Sequence, residues 1–304
     1  MKATRLPLCL GLCGILIWFL ADAAAVRAAV SEALTLCAGS VIPAMFPFLV
    51  VSGLLISLGF GAWLSPCLAG LMDRLFHLPG TAGAALLLGL VGGYPIGART
   101  AAGLYKSGQL TEQEALRLLT FCNNANPAFF LGVLGAGVFE SRRAGLYLWL
   151  IHVLSALLTG MALGRGTAKV RRRSVPPTVP LPLSFSRLWV EAVGSALQSI
   201  LSVCAFVTIF YVLTRPLAAL PGLWGTVAVG ATELFSLTPL LTADGTGFIL
   251  AALCSGWGGL SVLCQTAAML EGTGLPLTPC LKGKAMQGAL SALLAAGLVL
   301  ANTI

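Results

Sequence analysis

Residues Leu118 to Phe139 read LLTFCNNANPAFFLGVLGAGVF. At a rise of about 1.5 Å per residue a helix of this length crosses a hydrocarbon layer of about 30 Å. Near its start, however, it carries Asn123, Asn124 and Asn126 beside Pro127. An asparagine amide in an apolar medium is costly unless it is hydrogen-bonded, and a proline removes a helical N–H. The helix must therefore break here. A break exposes carbonyls at the end of one half-helix and N–H groups at the start of the next, a pairing that can hold a polar solute or a cation from both sides. Asparagines gluing one helix to another are the plainer alternative. The helix that leads into the break starts at Thr111, with Glu114 three residues on as its capping-box partner.

The rest of the chain supports a membrane setting. Of its 304 residues 58% are apolar and only 9% are charged, whereas a soluble protein needs about a quarter of its residues charged. Ten-residue alternating strands are absent and the apolar runs are rich in Leu, Ala and Gly, so the expected fold class is an all-α polytopic membrane protein. The net charge of +8 is spread over connecting segments, which suits topology-setting better than nucleic-acid binding. Nine cysteines without a CxxC pair or a neighbouring histidine do not form a zinc or iron–sulfur ligand set, and their odd number inside apolar runs argues against a disulfide framework.

Apolar segments are expected at Met1 to Leu20, Leu34 to Leu58, Thr81 to Thr100, Leu118 to Phe139, Ala144 to Leu163, Leu188 to Leu213, Leu223 to Leu241, Gly247 to Leu270 and Ala285 to Ala301. The first is read as a retained helix, although Ala21-Asp22-Ala23 also fits a cleavage site. If every segment crossed, the basic, Pro-rich stretch from Arg165 to Arg187 would face outward, against the positive-inside rule. Treating the Thr81 and Leu223 segments as re-entrant hairpins puts 14 of the 18 basic residues in the cytoplasm, Lys282 and Lys284 included, and leaves Arg27, Arg142, Arg143 and Arg215 outside.

That arrangement brings out an internal order. Each half has a long helix carrying an acidic residue near its start (Glu32, Glu191), a Gly-rich hairpin, a helix broken by polar residues and a final spanning helix. The opening helices start on opposite faces, so the expected architecture is a pair of inverted repeats with re-entrant hairpins and discontinuous helices, as in secondary transporters. The domain organisation follows: an N-terminal helix over 1–30, a first repeat over 31–164, a basic cytoplasmic linker over 165–187 and a second repeat over 188–304.

Three polar stretches carry the expected site. The first, Gly89 to Arg99, packs four glycines and Pro95 too densely for a regular helix, with Tyr94 at its tip and Arg99 at its exit. The second is the asparagine cluster. The third, Ser255-Gly-Trp-Gly-Gly-Leu-Ser261 followed by Gln265, holds the corresponding place in the second half, and Ser261 and Gln265 share a helix face at i, i+4. Paired breaks in inverted repeats build one site. Asn123, Asn124 and Asn126 are thus expected to converge with Ser255, Ser261 and Gln265, approached by the hairpin tips around Tyr94 and Glu233, with Arg99 adding a cationic donor. Glu233 is the acidic residue placed at depth, a candidate proton or cation site.

The order GxxGGYPxGA (Gly89 to Ala98), a short charged loop, Asn-Asn-x-Asn-Pro, a basic linker and then GWGGLSVLCQT (Gly256 to Thr266) resembles the YlbJ family of sporulation integral membrane proteins, also called stage V sporulation protein VV. These proteins contain the nucleoside-recognition or Gate domain, shared with parts of concentrative nucleoside transporters and ferrous-iron transporters. The resemblance implies uptake of dipicolinate across the outer forespore membrane of an endospore-forming bacterium. The expected partners are a small-molecule substrate and the lipid bilayer, with room for a homo-oligomer; no nucleic acid and no cofactor are expected. A nucleoside or ion transporter, or a non-transporting assembly protein, is the alternative. An intramembrane hydrolase lacks its chemistry, since His77 and His152 lie on separate segments and no HExxH or GxSxG is present.

Overall fold

The computed structural model describes residues 5–164 and 184–301. Most of the basic linker, including Arg165, Lys169, Arg171, Arg172 and Arg173, lies outside the described residues, as does Lys2. All regular structure among the described residues is helical. In chain order the α-helices are α1 (Arg5–Ala21), α2 (Ala23–Leu36), α3 (Ile42–Ser57), α4 (Phe60–Phe76), α5 (Ala82–Gly92), α6 (Ile96–Lys106), α7 (Glu112–Leu118) and α8 (Arg142–Gly164). They continue with α9 (Phe185–Ala218), α10 (Leu223–Thr232), α11 (Leu234–Leu237), α12 (Gly245–Trp257), α13 (Gly259–Leu270) and α14 (Thr278–Leu300). Two wider π-helical segments, Cys37–Val41 and Phe129–Val138, join α2 to α3 and precede α8.

Five helical stretches among the described residues are long and apolar enough to cross a membrane: Ala23–Val41, Arg142–Gly164, Phe185–Ala218, Gly245–Leu270 and Thr278–Leu300. Large apolar side chains cover the outside, with Leu20 81%, Trp63 72% and Leu293 70% exposed. A soluble surface does not leave so many large apolar residues bare, whereas lipid solvates them.

From Ala23 to Ser57 the chain runs as one helix, with Cys37–Val41 as a π-widened joint, and packs antiparallel along α9. Glu32 pairs with Arg215 at one end, the Cys37 thiol reaches the Cys204 carbonyl in the middle, and Gly53 meets Ala192 at the other end. Residue 30 thus lies inside α2. With 34 residues, α9 spans about 51 Å, well beyond the hydrocarbon thickness, so it is tilted or protrudes.

Two short-helix pairs occupy the Thr81 and Leu223 regions. α5 and α6 fold back on each other around residues 93–95, and α10 stops at Glu233 before α11. Helix α4 had no counterpart in the sequence reading. Pro66, Asp73 and Arg74 dilute its hydropathy, while Met72 and Phe76 on one face are buried. The last helix begins at Thr278, not at Ala285, because Lys282 and Lys284 are helical. Lys284 is 1% exposed, which corrects its assignment to a cytoplasmic loop. All nine cysteines are free. Asp244 caps α12, accepting from the Gly247 N–H at 2.7 Å and the Thr242 hydroxyl at 2.8 Å, and these bonds hold its carboxyl below the usual range.

Candidate functional site at the meeting of the helix breaks

The first break is set up by α7. Thr111 Oγ1 accepts from the Glu114 N–H at 3.3 Å and Glu114 accepts from the Thr111 N–H at 2.7 Å, a closed capping box. Helix α7 ends at Leu118, and residues 123–126 carry no helical structure. The three asparagines then do three different things. Asn126 Oδ1 accepts from the Phe129 N–H at 2.8 Å and so starts the π-helical segment. Asn124 donates to the Phe121 carbonyl at 2.9 Å. Asn123 donates to Thr266 Oγ1 on α13 at 2.8 Å, tying the first break to the second half.

The turn between α5 and α6 sits directly on this break. A Cβ on Gly93, whose φ is +87°, would lie 2.9 Å from the Asn126 Cβ. One helical turn on, Gly97 lets α6 touch the Cys122 carbonyl. The second half carries breaks of its own. Helices α12 and α13 meet at Gly258 and Gly259, both at positive φ, and Gly259 lies against the Thr232 carbonyl where α10 ends. Trp257 Nε1 donates to the Ala231 carbonyl at 2.9 Å, which fixes that contact. Glu233, in extended conformation and 2% exposed, accepts from the Ser236 N–H at 2.6 Å. The Tyr94 hydroxyl closes the circle by donating 3.1 Å to the Ser255 carbonyl, one turn before the α12 break. All four interruptions therefore meet in one region.

A partly open pocket of about 70 Å³ lies there. Tyr94, Asn126, Glu233 and Gln265 line it together with apolar walls such as Phe129 and Val133. Four of the nine residues expected from the sequence thus share one cavity. Ser40 from the first π-helical segment and Phe129 from the second flank it, and such segments occur often at functional sites. The other expected residues stand around it. Gln265 donates to Ser261 Oγ at 3.3 Å, as their i, i+4 spacing requires, and the Ser255 hydroxyl is buried with no partner among the described residues. Asn123 and Asn124 turn away from the pocket into a polar network. Arg99 departs furthest from expectation: its guanidinium is held by Ser195 and Ser199 on α9, the latter at 3.1 Å, and it does not line the pocket.

The polar network is what the sequence reading missed. Lys284 donates to the Asn123 carbonyl at 3.0 Å and to Gln287 Oε1 at 2.7 Å, and its ammonium lies 4.9 Å from the centre of the Tyr94 ring. Gln287 donates to Asn124 Oδ1 at 2.9 Å, and His152 Nε2 accepts from the Ala125 N–H at 3.1 Å. Ser155 and Ser291 bond at 2.7 Å below them. A signal was present: Lys284, Gln287 and Ser291 on α14, and His152, Ser155 and Thr159 on α8, recur every three or four residues, a polar stripe on an apolar helix. Among the described residues no group of three His, Cys, Asp or Glu side chains is placed to hold a metal ion.

Replacing Tyr94 by Phe removes the hydroxyl bridge to Ser255 and keeps the ring over Lys284. We expect a loss of about 1 kcal/mol in stability, measured by thermal unfolding in detergent. A loss as large as that of a full truncation to Ala would show that the hydroxyl contributes more than this bond.

The Gate family model, described as nucleoside recognition, matches residues 38–141, which contain the α5–α6 turn and the asparagine break. The chain is 28% identical over 296 residues to the sporulation integral membrane protein YlbJ of Bacillus subtilis (strain 168), a match covering 83% of this chain and 72% of that protein. No solved structure matches. The chain is a multi-span integral membrane protein homologous to a Bacillus sporulation membrane protein.

Proposed function

We propose that the chain is a secondary transporter whose solute binds in the pocket between Tyr94, Asn126, Glu233 and Gln265. The observation that carries this reading is the convergence of four helix interruptions on one cavity. Irregular backbone is tolerated at membrane depth where it is buried or lines a cavity, and broken helices meeting near the midplane are how transporters build substrate sites. Inverted repeats are part of the proposal. In their support, apart from α4 in the first half, the two halves follow the order of long helix, short-helix pair, broken helix and final helix, and the opening helices pack antiparallel. Helix α5, with 11 residues, reaches about 16 Å, half the hydrocarbon depth, as a re-entrant arm does.

The substrate we propose is a small aromatic dicarboxylate, dipicolinate, moved into the forespore. Phe129 and Val133 offer apolar faces to a ring, and the amide ends of Asn126 and Gln265 offer donors to its polar edge. Glu233 would repel a dianion unless it carries a proton, so a proton on Glu233 accompanies the solute. The Gate description favours a second reading, a neutral nucleoside, whose hydroxyls an ionised Glu233 would accept.

Uptake of labelled dipicolinate and of labelled uridine into liposomes containing the purified chain separates the two. We expect saturable dipicolinate uptake that falls about tenfold or more when Asn126 and Gln265 are both changed to Ala, since each loses a buried polar contact. Uptake of uridine alone would replace the substrate and keep the site. Dipicolinate uptake unchanged in the double variant would overturn the site.

A further inference from the structure

Lys284 is buried to 1% exposure in a helix apolar enough to cross a membrane. The ion pairs among the described residues are Arg187 with Glu191 and Arg215 with Glu32, so no carboxylate there answers the Lys284 charge. The titratable side chains close to it are Tyr94, Cys122, His152 and Cys280, none of them an acid at neutral pH. What answers the charge is oxygen and an aromatic face: the main-chain carbonyl of Asn123 inside the break, the Gln287 amide oxygen and the Tyr94 ring.

This is the donor set of a cation site. An unwound backbone carbonyl plus a side-chain carbonyl is what a discontinuous helix offers a coupling sodium ion, and an aromatic face attracts a cation further. Here an ammonium group on a four-carbon stem already occupies it. We propose that Lys284 is a tethered cation, filling the coordination site that the asparagine break would otherwise offer to a free one, so that this protein requires no sodium ion at that site. The position makes the cation useful. Tyr94 lines the solute pocket, its ring carries Lys284, and its hydroxyl reaches the second break. Lys284 thereby acts as a positioning residue, holding Tyr94 and the Asn123 carbonyl in place from behind the pocket.

The transport arm of the test rests on the proposed transporter function, and the stability arm does not. For the purified full chain, replacing sodium by choline at constant ionic strength should leave the melting midpoint unchanged and leave uptake within about twofold. Lys284→Ala deletes three methylenes and the ammonium, which n-propylammonium can restore. That variant should lose about tenfold in uptake per folded protein and recover melting midpoint and part of its uptake with n-propylammonium or sodium but not with choline. Lys284→Met fills the space without the charge and should be inactive and unresponsive to either cation. If Lys284→Ala is not recovered folded in choline, its recovery of monodisperse protein when purified in n-propylammonium is the readout, and equal recovery in both overturns the proposal. A wild type stabilised specifically by sodium, or dependent on it for uptake, overturns it, as does a Lys284→Met variant that transports normally. If the wild type moves no solute, the transporter reading fails, and the melting and rescue measurements still decide this one.

Discussion

Gly97→Ala should cost the protein about 3 kcal/mol or more of stability, a large part of the total margin of a folded protein. The new Cβ would land on the Cys122 carbonyl, with the Cys122 carbonyl carbon 2.7 Å and the Asn123 Cα 3.0 Å away. These are backbone atoms of the first break and cannot swing aside as a side chain would. Any shift that relieves the clash also moves Asn123 off Thr266 and off Lys284. Gly103 on the same helix is the control. It is exposed and nothing lies within 4 Å of an added Cβ, so Gly103→Ala should be neutral or stabilising by about 0.5–1 kcal/mol. Unfolding midpoints and monodispersity in detergent check both. If Gly97→Ala is as stable as Gly103→Ala, α6 does not approach the break as closely as described.

Gln287→Leu should be the other severe change. Leu nearly matches Gln in volume, so the effect isolates hydrogen bonding. The substitution takes an acceptor from the Lys284 ammonium and a donor from Asn124 Oδ1. Losing a bond to a charged group costs about 1.5–3 kcal/mol and stranding a buried acceptor about 1–3 kcal/mol, together roughly 4 kcal/mol. Adding Lys284→Met should return part of this, because an apolar side chain does not need the lost oxygen, and the pair should couple by about 1–3 kcal/mol. Simple additivity of the two changes would mean that Lys284 and Gln287 are not energetically joined.

Much of the architecture was legible in the sequence because a helix break is a local event. Gly93 and Pro95, the asparagines beside Pro127, and Gly258 with Gly259 each mark backbone that cannot continue as a helix, and the structure breaks at or next to each of them. The capping box at Thr111 was legible for the same reason, and Glu233, expected at depth, is buried. Partners distant in sequence were not. Lys284 reads locally as a loop charge because it stands near the start of an apolar run. Its burial depends on the Asn123 carbonyl, 161 residues away, and no local pattern encodes that pairing. Arg99 is the converse case. A cation at a hairpin exit suggested a substrate donor, but Ser195 and Ser199 on α9 take up its hydrogen bonds. Within the asparagine cluster the sequence could not divide the labour, and only Asn126 lines the pocket while Asn123 and Asn124 serve the network behind it.

Whether solute binds where the interruptions meet is read from a structure of the full chain in lipid nanodiscs with saturating dipicolinate. New density is expected between Phe129 and Val133, with polar contacts from Asn126 and Gln265. Density for the solute at any other place, in a preparation that transports it, would mean that the pocket is not the solute site.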